Sequence, residues 1–115
     1  MATVRWTPQD CAGLGDITPT RNGSLSTSDS YVFANNGWVV LLAEKSGAGV
    51  ATYTVPTPKT QGGLALGELT GTIAATTGDK IIGPFEVSLT NDGNGDASIS
   101  FDDIAGLTVA VVRVP

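Results

Sequence analysis

The chain has no histidine and a single cysteine, Cys11. Without histidine, the usual general base near neutral pH and the commonest metal ligand are both missing. One cysteine excludes an intramolecular disulfide and any metal site built on several thiolates, so Cys11 reads as a small apolar residue. Basic residues are scarce as well, six Lys and Arg against eleven Asp and Glu, for a formal net charge of −5. No basic stripe exists that could displace counterions from phosphates, so nucleic acid is not an expected partner. No apolar run is long enough to span a bilayer, and the opening Met-Ala-Thr-Val-Arg-Trp-Thr-Pro carries no apolar core of a secretion signal. A protein made and used without crossing a membrane, with no membrane partner, is expected.

What is present is an apolar, glycine-rich chain of 115 residues, 41% hydrophobic and only 15% charged, with 15 glycines. That length makes one domain with a real core. A free monomer usually carries more charge to stay soluble, so the low charge predicts a surface partly covered by partners.

The pattern is that of strands. Between Lys80 and Val114, Phe85, Val87 and Leu89 alternate with Glu86 and Ser88, and Ala97, Ile99 and Phe101 alternate with Ser98 and Ser100. Alternation on both sides of a Gly/Asn/Asp loop predicts a hairpin, and the strand Leu107–Val114 extends it to a three-strand meander. Earlier strands are predicted at Ser30–Ala34, Trp38–Glu44 and Val50–Val55, with Asn35-Asn36-Gly37 as a hairpin turn. Leu64–Leu69, Thr72–Ala75 and Lys80–Ile82 are weaker strands, and no segment has helical periodicity. Trp38–Glu44 and Leu107–Val114 are apolar on both faces, which predicts burial on both sides and favours an assembled state. The expected fold is all-β, an antiparallel β-sandwich or jelly roll of seven or eight strands over residues 29–115. Residues 1–28, broken by Pro8, Gly13, Gly15, Pro19 and Gly23, read as an extended N-terminal arm. That arm either wraps on its own domain or reaches a neighbouring subunit.

Candidate chemistry is thin. Asp92-Gly93-Asn94-Gly95-Asp96 spaces oxygen ligands as a calcium loop begins, with Asp103 at the position of a last carboxylate. Ala97 stands where such a loop wants glycine, so a plain turn of residues tolerant of positive φ is the expected reading. Glu44, Glu68 and Glu86 are isolated on polar strand faces, and no histidine or Ser-x-x-Lys arrangement is there to activate a hydroxyl. Neither glycine pair, Gly13/Gly15 or Gly62/Gly63, lies between a strand and a helix, so no phosphate cradle is expected. The expectation is a non-enzymatic protein with no catalytic residue, no metal and no cofactor. Trp6 and Trp38 read as core or interface residues rather than a sugar-stacking platform.

Three short motifs carry a resemblance. They are Thr54-Val55-Pro56, then Ile82-Gly83-Pro84-Phe85, then Gly106-Leu107-Thr108-Val109-Ala110-Val111-Val112-Arg113 after an acidic, glycine-containing loop. Over residues 38–115 this order is similar to small β-rich virion proteins of tailed bacteriophages. The resemblance implies a head decoration (cement) protein on the outside of the shell, often trimeric at local threefold points, with the major capsid protein as partner. The arm lies outside the match. Large apolar residues in poorly periodic or two-sided segments are anchor candidates, which singles out Val4, Trp6 and Trp38 for partner binding. A tail or tail-tube component and a carbohydrate-binding or adhesin-like sandwich are the alternative readings.

Overall fold

The computed structural model describes residues 3–10, 20–23, 25–57, 60–61, 64–65, 68–92 and 94–113. Cys11, Gly13, Gly15, Pro19, Gly62 and Gly63 lie outside them. The strands are β1 (Thr3–Arg5), β2 (Gln9–Asp10), β3 (Ser30–Ala34), β4 (Val39–Lys45), β5 (Ala51–Val55), β6 (Thr60–Gln61), β7 (Leu64–Ala65), β8 (Leu69–Ile73), β9 (Gly78–Ile82), β10 (Asp96–Phe101) and β11 (Leu107–Arg113). A single helical turn, α1 (Val87–Thr90), interrupts them.

Two sheets form the sandwich, ordered β1-β3-β10-β5-β8 and β2-β11-β4-β9, with β6 and β7 as a separate ribbon. From β1 to β11 the chain alternates between the two sheets, and only the β5–β8 connection returns to the same one. That alternation, with β3-β10-β5-β8 facing β2-β11-β4-β9, is the winding of a jelly roll. The all-β sandwich expected from the sequence is the fold observed.

Several local expectations are corrected. The strands from Lys80 onward do not form a meander: β9 and β11 lie in one sheet, while β10 pairs with β3 and β5 in the other. The two strands that are apolar on both faces pair with each other along their whole length, from Leu107 opposite Lys45 to Arg113 opposite Val39. With β9 on the other side of β4 and β2 beside the end of β11, this sheet is complete without β10. Likewise Asn35-Asn36-Gly37 joins strands of different sheets, so it is a corner and not a hairpin turn. Residues 85–89 are not a strand either. Phe85 is buried, and the chain then coils through α1 so that Thr90 and Asn91 face inward. Five alternating residues are too few to separate a strand from a turn of helix.

The core follows the alternation that was legible. Phe33, Val39, Leu41, Ala43, Val55, Ile99 and Val109 are buried between the sheets. The outer face of β11 is also covered within one chain, since Ala110 and Val112 are buried. That two-sided burial therefore needs no second subunit. The described residues of the N-terminal segment lie on their own body: β1 runs parallel to β3, β2 parallel to β11, and Asn22 bridges to Val109.

Each end of the sandwich is closed by buried polar groups. At one end Lys45, 2% exposed, terminates the most apolar strand. Its amine donates to the carbonyls of Ala105 at 2.8 Å and Ala48 at 3.2 Å and pairs with the Asp103 carboxylate at 3.1 Å. The β4–β5 and β10–β11 corners are thereby drawn together until their backbones touch. A Cβ on Gly47 would stand 2.4 Å from the Ala105 carbonyl oxygen, and one on Gly106 2.5 Å from the Gly47 nitrogen. Gly106, at φ 64°, also needs the left-handed region. At the other end, Asn35 and Asn91 are buried and exchange hydrogen bonds. Asn35 Nδ2 donates to Asn91 Oδ1 at 2.6 Å, and Asn91 Nδ2 donates to the Asn35 carbonyl at 2.8 Å. Among the described residues no buried side-chain nitrogen or oxygen lacks a partner.

Removing the buried ammonium leaves the Ala48 and Ala105 carbonyls without their donor and the part-exposed Asp103 without its partner, so Lys45→Met should cost about 1–3 kcal/mol in denaturant unfolding. Three carboxylates sit below the usual carboxylate range. Asp103 is lowered by the Ala105 amide and then by Lys45, Asp96 by Arg5, and Asp10 by Arg113. Because the folded-state values are depressed, this stability is present above the unfolded-state pKa and is lost as pH falls through the folded ones. Melting temperature should therefore hold from neutrality to about pH 5 and decline below about pH 4, measured by calorimetry. Asp103→Asn should flatten that decline.

Candidate functional site

The Asn35–Trp38 corner turns a large aromatic side chain outward. Asn35 Oδ1 accepts from the Gly37 amide and Asn36 Oδ1 from the Trp38 amide, each at 3.0 Å. Two successive Asx turns of this kind need a residue tolerant of positive φ, and Gly37 sits at 93°. The turns fix the phase of the strand that follows. Val39 points into the core, so Trp38 points out, 62% exposed. Its neighbours come from the β9–β10 connection: Pro84, Phe85, Glu86 and Val87 line, with Gly37 and Trp38, an open groove of about 230 Å³. The Asn35–Asn91 hydrogen bonds lie beneath and hold the two corners together.

This rim continues along one sheet. Register places Leu42 beside Ile81, so Val40, Leu42 and Ile81 share the outer face that Trp38 borders. Ile81 is 68% exposed, and Val40 and Leu42 are half-buried. Further along, Thr108, Glu44 and Asp79 form a polar row, with Arg21 donating to the Leu42 carbonyl and pairing with Glu44 at 3.4 Å. An aromatic of this size carries 150–250 Å² of surface, and a large apolar group held on a rigid corner loses little entropy when covered. The chemistry available here is burial of apolar area.

The three anchors named from sequence separate in the structure. Trp6 is 5% exposed, stacked on Tyr31 with ring centroids 4.5 Å apart, inside the chain's own core. Val4 is partly buried against the same core. Trp6 is thus taken up by the chain's own core, with its amide donating to the Val32 carbonyl, while Val4 on β1 stays half-buried. Of the three, Trp38 alone is strongly exposed.

The acidic loop is a turn. Asp92 Oδ1 accepts the amides of Asn94 at 2.8 Å and Asp96 at 3.2 Å, and Asp96 is taken in a two-pronged pair by Arg5, both contacts 2.9 Å. Asp103 lies with Lys45 at the opposite corner of β10. No group of three or more acidic, histidine or cysteine side chains fit to hold a metal is found among the described residues. One juxtaposition was not legible in sequence: Glu44 stands opposite Asp79 across β4 and β9. The buried Lys45 was also missed. Its only signal was a lone lysine between the most apolar strand and a turn of small residues.

No family model, curated protein or solved structure matches the chain. The functional reading therefore rests on the residues themselves.

The two tryptophans should behave oppositely. Trp6→Ala should cost about 3–5 kcal/mol in chemical unfolding, as expected for a core aromatic. Trp38→Ala should change stability by no more than about 0.5 kcal/mol, as expected for a surface site.

Proposed function

We propose that the protein is a non-enzymatic structural component of a virion, one that decorates the outside of a tailed-bacteriophage head and stabilises the expanded shell. Its partner is the major capsid protein, its place the capsid surface after assembly in the host cytoplasm, and its working form a homotrimer at capsomer junctions. The observation that carries the reading is Trp38: a large aromatic held outward by a hydrogen-bonded corner, next to an open groove and the sheet face of Val40, Leu42 and Ile81. The three motifs over residues 38–115 point to the same class, and two of them meet at this site. Pro84 and Phe85 of the second motif line the groove beside Trp38, and Leu107–Arg113 of the third is β11, whose end pairs with Val39 next to Trp38.

The mechanism is linkage. A protein that binds the expanded shell better than the dissociated or unexpanded one shifts that equilibrium by the difference in affinity, with no bond made or broken. Interfaces of about 1,000 Å² or more at each junction are the scale required. A sugar-binding sandwich draws less support, because it calls for aromatic side chains side by side on one face. Trp38 is the one aromatic side chain that is strongly exposed, while the other six are buried or half-buried.

The test is co-sedimentation with heads that lack the protein. Wild type should bind and raise the temperature at which heads release their genome. Trp38→Glu, folded by circular dichroism, should lose at least about 10-fold in affinity, equivalent to 1.4 kcal/mol. Heads equally robust with and without the protein would contradict a cementing role. Incorporation into tails instead of heads would favour a tail component.

A further inference from the structure

The described residues of the N-terminal segment meet the body at three places, and each carries one ion pair. Beside β1, the Arg5 guanidinium grips Asp96 at the start of β10. Beside β2, Asp10 pairs with Arg113 at the end of β11. Beside the Asn22 bridge, Arg21 pairs with Glu44 of β4. In every case one partner belongs to the segment and the other to the sandwich. The strands involved are short, three residues in β1 and two in β2. The backbone bonds on either side of them are few: Trp6 amide to the Val32 carbonyl, and Asn22 and Val109 exchanging amide and carbonyl. Within residues 3–10 and 20–23, Trp6 is the one fully buried large side chain.

The sandwich keeps its own closure apart from this segment. Strands β3-β10-β5-β8 and β11-β4-β9 remain paired, and the Lys45 and Asn35 clusters draw on no residue before Asn35.

We propose that residues 3–10 and 20–23 form a strap latched by these three ion pairs, which opens as a unit, ahead of the sandwich, as ionic strength rises. Opening bares the edges of β3 and β11, the two strand edges that the strap covers. Among the described residues two further charges face the latch: Asp92 near Arg5, and Asp79 across from Glu44. Salt acts on such pairs because the screening length falls from about 10 Å at 0.1 M to about 3 Å at 1 M. Each exposed pair is worth a factor of about 1.4 to 5 in an opening equilibrium.

Hydrogen exchange read by mass spectrometry on the full chain tests this at neutral pH. Wild type would be compared at low and at high sodium chloride, alongside the double variant Arg5→Gln/Arg113→Gln at low salt. Strap amides, Trp6 among them, should exchange about 5-fold faster in high salt and in the variant, while β4 and β10 amides keep their rates. The proposal is overturned if strap and β4 amides exchange together in one event, or if strap rates ignore salt. The wild-type salt series decides the matter by itself should the variant fold poorly. Neither outcome depends on whether the protein binds a phage head.

Discussion

A charged amine inside an apolar sandwich is the constraint from which much of this structure follows. Burying Lys45 without partners would cost several kcal/mol, and three oxygens from two different corners meet that cost. To deliver them, the β4–β5 and β10–β11 connections must approach to backbone contact, which is why Gly47 and Gly106 are glycines. Those corners in turn send β5 and β10 into one sheet while β4 and β11 pair in the other. A hairpin at either position would leave Lys45 without its cage. The buried charge thus goes with the alternating path of the chain, and so with the jelly roll rather than a meander.

The opposite end solves a similar problem with neutral groups and leaves something to spare. Asn35 and Asn91 satisfy each other beneath the surface, so the corner above them is rigid without using Trp38. One end of the molecule is therefore sealed by charge, and the other is sealed by amides and topped by an exposed aromatic. A protein whose work is to cover a seam needs a scaffold that stays fixed while its apolar rim is offered outward. This arrangement meets both needs of the proposed role.

Much of the fold was legible because alternation was clean. Phe33, Ile99 and Phe101 on one sheet and Leu41 and Val109 on the other face inward as their spacing implies. Strand pairing was not legible, because corners and hairpins use the same residues: Asn35-Asn36-Gly37 satisfies the chemistry of either. Short apolar alternation misled at Phe85–Leu89, where side-chain demands from Asn35 favoured a helical turn. At the candidate site, residue type identified Trp38 but could not separate it from Trp6. The two differ only in phase and neighbours: Trp6 falls onto Tyr31, whereas Trp38 precedes an inward Val39 by one residue. Lys45 escaped notice because its partners lie in corners that no local pattern brings together.

The central claim is that Trp38, and not Trp6, is the surface that a capsid covers. Fluorescence of the single-tryptophan variants Trp6→Phe and Trp38→Phe, read before and after binding to heads that lack the protein, tests it most directly. Trp38 emission should start red-shifted and open to acrylamide, then shift blue and become protected on binding, while Trp6 emission is buried throughout and unchanged. A Trp38 signal that stays solvent-exposed on fully decorated heads would contradict the account.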